Sequence, residues 1–193
     1  MIIYPKLKFP PLQYIAKQKL PEILIYQKQY KLYESADIMV DEFIAFSLKK
    51  PSEYAKMKCI KSETARENNI KVPSVYVWFL RSNASGHGLG STLLHIAKNY
   101  SEKSGCNGFF HLSAETSYAP ERIPHIFYRK FGMSTVEEAM DCRLDEFIQK
   151  GKNATEDEFS TMDMFYPPIE HKHKQESKQK QGFLNKLIGL IRS

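Results

Sequence analysis

The chain has 193 residues, of which 42% are hydrophobic, enough for one domain with its own core but short for two. Its formal net charge is +6 at pH 7, but six lysine and arginine residues and one glutamate lie from His171 onward, so residues 1–170 carry a net charge of only +1. This distribution argues against a nucleic-acid-binding surface on the folded part. We predict a single domain over residues 1–169 and a basic tail over residues 170–193.

The cysteines and the amino terminus indicate a reducing compartment. The three cysteines are odd in number and share no metal-ligand spacing, which argues against a disulfide framework and a zinc site. The amino terminus has no signal-peptide pattern, and no apolar stretch has the length of a membrane span. We therefore expect a cytoplasmic protein without a bound metal.

The first 70 residues contain three short apolar patterns. Residues 23–33 are apolar and aromatic in a spacing that fits either a helix or a hairpin, and the choice stays open at this stage. The apolar residues within 36–49 predict a buried helix that ends before Pro51. Alternation over 55–59 predicts an edge strand, and the charged stretch 62–69 predicts a helix or loop.

The clearest pattern in the chain is a strand, a glycine-rich turn and a helix. Val75 to Leu80 is a short β-branched and aromatic run, typical of a buried strand, in which we interpret Trp78 as a core residue. The turn carries glycines at alternate positions, Gly86, Gly88 and Gly90, and Ser91 then begins a segment of helical period that ends at Gly105.

A second strand is predicted from Gly108 to Glu115. Strand, helix and strand at this spacing form a βαβ crossover, so the two strands should be parallel. The glycine turn and Glu115 would then lie at the same edge of the sheet.

The residues after Glu115 predict further helices and strands. In chain order they are a short helix with Phe127 and Tyr128, a strand starting near Gly132, a helix over Val136–Lys150 and a strand over Phe159–Tyr166. In the tail, apolar residues between Phe183 and Ile191 predict an amphipathic helix. That helix has three interpretations: it docks on its own domain, on a protein partner, or on an anionic membrane surface.

The glycine turn has several interpretations. An ordinary strand-to-helix connection is the simplest, although it does not require three alternating glycines. A P-loop is disfavoured because no lysine follows Gly90, and the spacing does not match the dinucleotide pattern G-x-G-x-x-G. Backbone N–H groups at such a turn, with the positive end of the next helix, can hold a phosphate.

In these residues the sequence resembles the GNAT superfamily of N-acetyltransferases. The acyl-CoA motif of that family, Arg or Gln followed by two residues, Gly, one residue, and Gly or Ala, is similar to residues 85–90, Ser-Gly-His-Gly-Leu-Gly, with serine at its first position. A second family motif is echoed in residues 127–133, Phe-Tyr-Arg-Lys-Phe-Gly-Met. The resemblance covers roughly residues 74–134.

The resemblance implies a fold, a co-substrate and a site. The fold would be α/β, with a mixed, mostly antiparallel sheet and a central parallel strand pair flanked by helices. Acetyl-CoA would be the co-substrate and a primary amine of a small molecule or protein the acceptor. The residues implied for acetyl-CoA binding are Leu80, Ser85, Gly86, His87, Gly88, Leu89, Gly90 and Ser91.

The chemistry of acetyl transfer needs an acid and a base. The resemblance implies Tyr128 as the acid that protonates the leaving thiolate. Glu115, at the end of its strand, is the first candidate for accepting a proton from the amine, and Asp163 and His111 are weaker ones. The alternative function is a catalytically inactive binding or regulatory module, which the serine at position 85 motivates.

Overall fold

The protein is an α/β structure with six strands and three helices in its described part. The computed structural model describes residues 23–32, 38–65, 70–115, 123–150, 159 and 161–171. In chain order the elements are β1 (Ile23–Lys31), β2 (Met39–Ser47), β3 (Tyr54–Ala65), β4 (Lys71–Ser82), α1 (Leu89–Lys103), β5 (Phe110–Ala114), α2 (Pro124–Phe131), α3 (Glu138–Lys150) and β6 (Met162–Tyr166). The predicted tail helix lies outside the described residues.

The six strands form one sheet in the order in which they occur in the sequence. All neighbouring strands are antiparallel except β4 and β5, which are parallel and are joined by α1. This confirms the predicted mixed sheet with one central parallel pair. None of the helices in the described ranges is long and apolar enough to cross a membrane.

The predicted helix over residues 36–49 is wrong, because this segment forms β2. Phe43 and Ala45 are buried on the face that carries α1, and Val40 is buried on the other face. Buried residues lie on both faces of this segment, so it lacks the alternation of apolar and polar residues that would distinguish a strand from a buried helix. Pairing with β1 and β3 therefore decides the conformation.

The neighbours of β2 resolve the other ambiguities of the amino-terminal half. Residues 23–31 form a single strand that pairs along its whole length with β2, so the helix is wrong, and the hairpin is made with β2 rather than within the segment. The predicted edge strand over 55–59 is part of β3, but β3 is an interior strand between β2 and β4. The predicted helix or loop from Ser62 is wrong as far as Ala65, because these residues continue β3.

The carboxyl-terminal half follows the predictions more closely. The helix after the glycine turn, the parallel strand β5, the two following helices and the closing strand β6 are confirmed, with shifts of their ends. A strand near Gly132 is absent from the described residues. Gly132 instead ends α2 at a φ of 99°, and Ser134 makes only an isolated bridge to Phe165.

A bulge in β4 changes the course of the sheet at its centre. Cys59 pairs with Val77 and Lys58 with Phe79, so Trp78 is an extra residue on β4. A bulge of this kind bends the strand and increases its twist. Trp78 is 39% exposed and carries the Lys58 ammonium 5.2 Å from its ring centroid, so its interpretation as a core residue is wrong.

Beyond this point β4 and β5 separate. Their pairing is confined to Val75 with Phe110 and Tyr76 with His111, although β4 continues to Ser82. The residues of β4 from Trp78 onward are therefore not paired with β5. The sheet opens between its two parallel strands at the end that leads into the glycine turn.

A buried carboxylate fixes α1 to the sheet. Asp41 on β2 is 1% exposed and accepts hydrogen bonds from Tyr100 on α1 (2.6 Å) and from Gln27 (3.0 Å) and Gln29 (3.2 Å) on β1. Burial raises the pKa of Tyr100, and the bond to Asp41 raises it further, so the phenol remains a donor at neutral pH.

Replacing Asp41 with alanine should lower the free energy of unfolding by about 2 to 3 kcal/mol, because three donors lose a charged acceptor. For a chain of this size each kcal/mol lowers Tm by roughly 2–4 °C. D41N, which keeps one acceptor oxygen, should recover part of the loss. A control at the exposed Glu63, E63A, should change Tm little, and an unchanged Tm for D41A would contradict a stabilising role for this network.

Candidate functional site

The glycine turn owes its shape to two left-handed residues. Gly86 has a φ of 81° and Gly88 a φ of 73°, which side chains other than glycine adopt only with strain. Among the described residues, no atom lies within 4 Å of a Cβ built at either position. Both positions therefore need glycine for the course of the backbone rather than for space.

The turn leads into a helix end that lacks a side-chain cap. Gly88 is the N-cap of α1, no side chain caps it, and the first turn of the helix contains no acidic residue. Thr92 donates the first helical hydrogen bond, to the Gly88 carbonyl (2.9 Å). The preceding N–H groups, those of Leu89, Gly90 and Ser91, have no carbonyl within the helix to bond, and they lie at its positive end.

The residues just before the glycines are anchored to the β2–β3 connection. The Asn83 side chain donates to the Ser52 carbonyl (2.7 Å) and accepts from the Tyr54 N–H (2.7 Å). His87 Nδ1 also contacts the Glu53 carboxylate. These contacts hold an exposed loop in one position relative to β3.

Glu53 places a negative charge beside the glycine turn. Desolvation acts to raise the pKa of its carboxyl group, but hydrogen bonds with His87 and Lys50 lower it overall, so the group is ionised at neutral pH. Sequence reasoning missed Glu53, because its approach to His87 depends on how β3 and β4 pair.

The two predicted motifs lie next to each other in space. Phe127 of α2 reaches the start of α1, where its Cζ atom is 3.2 Å from the position a Cβ of Gly90 would occupy. The Phe127 and Tyr128 rings are 5.2 Å apart. Gly90 is therefore required for the close approach of α2, in contrast to Gly86 and Gly88.

Tyr128 lies in the core beneath this contact. Its residue is 7% exposed, and burial raises its pKa to about 12. A phenol with this pKa stays protonated across the physiological range and can donate a proton but not accept one.

Four further predicted residues lie on β4, β5 and β6 or directly after them. Leu80 pairs with Met57 in the separated half of β4 and packs against the core on the α1 face. Glu115 is exposed and directly follows the last residue of β5. His111 and Asp163 are on the opposite face, on β5 and β6.

The described residues contain no group of three or more histidine, cysteine or carboxylate side chains placed to hold a metal ion.

Two features of the site could not be found from the sequence. The Trp78 bulge and the separation of β4 from β5 depend on strand register, which leaves no local signal in the chain.

No protein-family model matches the chain, and a search of curated proteins finds no significant match.

Proposed function

We propose that the protein is an acyl-CoA-dependent N-acetyltransferase of the GNAT type, which transfers an acetyl group from acetyl-CoA to a primary amine. The observation that carries the proposal is the opening between β4 and β5, at the end where the uncapped start of α1 lies. Each part of this arrangement suits a different part of acetyl-CoA.

The start of α1 suits the diphosphate. Its N–H groups point out of the helix at the positive end of the dipole, which favours anions. The open left-handed positions Gly86 and Gly88 leave the backbone accessible to a large ligand.

The separated half of β4 suits the pantetheine arm. Amide groups along that arm can bond backbone groups of β4 that have no partner in β5, as an added strand would. The thioester would then lie in the opening near Leu80, where backbone N–H groups can stabilise negative charge on the carbonyl oxygen.

Tyr128 is the proposed acid that protonates the leaving thiolate of coenzyme A. It lies on α2, which contacts the start of α1 through Phe127, and its raised pKa keeps it in the acid form. General acid catalysis by a positioned side chain contributes typically 10²–10⁴-fold to a rate.

The second candidate function is a GNAT-like module that binds an acyl-CoA without turnover. It is favoured by Ser85, which stands where the family motif has arginine or glutamine, and by the Glu53 carboxylate beside the turn. Binding of acetyl-CoA without acetylation of any amine would distinguish this module from an enzyme.

Acetyl-CoA at a hundred times its dissociation constant should stabilise the protein by about 2.7 kcal/mol. The measurement is a thermal shift with acetyl-CoA, and ATP serves as a control that has the adenine and phosphates but no pantetheine arm. A clear rise in Tm with acetyl-CoA and a small one with ATP is expected. No shift at saturating acetyl-CoA would overturn both candidate functions.

A further inference from the structure

The face of the sheet opposite α1 carries an imidazole at the point where β4 and β5 part. His111 and Tyr76 form the last pair between these strands, and their rings stack with centroids 5.0 Å apart. On its other side the His111 ring stacks against Phe165 of β6 at 6.1 Å. The imidazole therefore lies between two aromatic rings at the closed end of the opening.

One nitrogen of this imidazole is engaged by the protein. The Nδ1 atom shares a 2.9 Å hydrogen bond with the hydroxyl of Ser74, a residue with no solvent exposure. This bond fixes the ring orientation, as a second partner does for many catalytic histidines. In the tautomer in which Nδ1–H donates to Ser74 Oγ, Nε2 is the nitrogen that can accept a proton from a ligand.

Two carboxylates lie around the same point. Burial raises the pKa of Tyr76, and the negative charges of Asp163 on β6 and Glu115 at the end of β5 raise it further. Both carboxylates are therefore within electrostatic range of the Tyr76 phenol. Their combined charge favours a cation on this face of the opening.

The electrostatic setting of His111 suits a proton acceptor. Burial lowers its pKa below the ordinary value, and the charge of Asp163 offsets this only in part. The imidazole is thus neutral at pH 7, and once it is protonated the resulting cation has Asp163 nearby. A general base needs to be neutral in the resting state and to be stabilised once it carries the proton.

We propose that a cationic primary amine reaches the thioester from this face, and that His111 Nε2 takes the proton that makes the amine nucleophilic. The proposal rests on the acetyltransferase function proposed above. His111 is a better candidate for this base than Glu115, because His111 is held at the closed end of the opening while Glu115 is exposed beyond the end of β5.

The ammonium gives one proton to Nε2, and the neutral nitrogen attacks the thioester carbonyl carbon, forming a C–N bond. The C–S bond then breaks, and the leaving thiolate gains a proton from Tyr128. The nitrogen gives its second proton to solvent, and solvent returns one proton to Tyr128, which restores the phenol. The imidazolium releases its proton to solvent, so the products are the N-acetyl amine, coenzyme A and one proton.

The test compares His111→Gln with His95→Gln, a matched change at an exposed histidine on α1, on the other face of the sheet. Acetylation of spermidine, tyramine and a lysine amide is measured from pH 5.5 to 9, together with the thermal shift caused by acetyl-CoA. We expect H111Q to lose roughly 10²-fold in kcat/KM for the acetylated amine. Its acetyl-CoA shift and that of H95Q should equal that of the wild type.

The pH profile separates a base from a structural residue. For the wild type, kcat should rise with pH through the His111 pKa, below about 6.5, because only the neutral imidazole accepts a proton. In H111Q, kcat should not show this rise with pH. Imidazole added to the His111→Ala variant should restore part of the rate.

Four outcomes would overturn the inference. An unchanged rate and profile for H111Q, or a greater loss in Glu115→Gln than in H111Q, would remove His111 as the base while leaving the acetyltransferase intact. Acetyl-CoA binding without acetylation of any of the three amines would overturn the cationic acceptor. Absence of acetyl-CoA binding by the wild type would overturn the proposed function itself.

Discussion

Replacing Tyr128 with phenylalanine should lower the rate of acetyl transfer by roughly 10²- to 10³-fold, because the leaving thiolate loses its proton donor. The ring of phenylalanine fills the same buried position, so the fold and the binding of acetyl-CoA should be retained. The measurements are kcat for the acetylated amine and the thermal shift with acetyl-CoA.

Tyr26→Phe on β1 is the matched control, since it removes the same atom away from the opening and should leave kcat unchanged. The raised pKa of Tyr128, about 12, also predicts how kcat depends on pH above neutrality. The phenol stays protonated up to that pH, so activity should not fall between pH 7 and 10 through this group. Equal kcat for Y128F and wild type would contradict the assigned role.

The change Gly88→Asp should reduce acetyl-CoA affinity at least a hundredfold, or about 2.7 kcal/mol. It places a carboxylate where the diphosphate is proposed to bind, at the N-cap of α1. The fold should be retained with some loss of stability, because a residue other than glycine is strained at a φ of 73°. Aspartate tolerates a positive φ better than most residues, space for its Cβ is open among the described residues, and a negative charge is favoured at a helix start.

The matched control is Gly105→Asp. Gly105 has a φ of 84° and nothing within 4 Å of its Cβ position, but it follows the other end of α1. G105D should lose some stability and keep the full thermal shift with acetyl-CoA. If G88D bound acetyl-CoA as tightly as G105D, the start of α1 would not be the diphosphate site.

The candidate site could be predicted in part, because part of it is local in sequence. The glycine turn and the helix after it are specified by consecutive residues. The positive φ angles of Gly86 and Gly88 explain why these positions need glycine. The roles proposed for Leu80, Tyr128 and Glu115 stay predictions. Glu53 and Ser74 lie far along the chain from His87 and His111, the residues that they contact, so no local pattern indicated them.

The βαβ unit around the glycine turn follows from local pattern alone, since a short β-branched run, alternating glycines and a helical period act within a few residues of one another. The conformation of residues 39–47 depends instead on tertiary contacts, because their buried acids Asp41 and Glu42 are satisfied by neighbouring elements that the local pattern does not show. The bulge at Trp78 and the opening beside it depend on such contacts too. Both arise from strand register, and register is fixed by packing across the whole sheet rather than by any one segment.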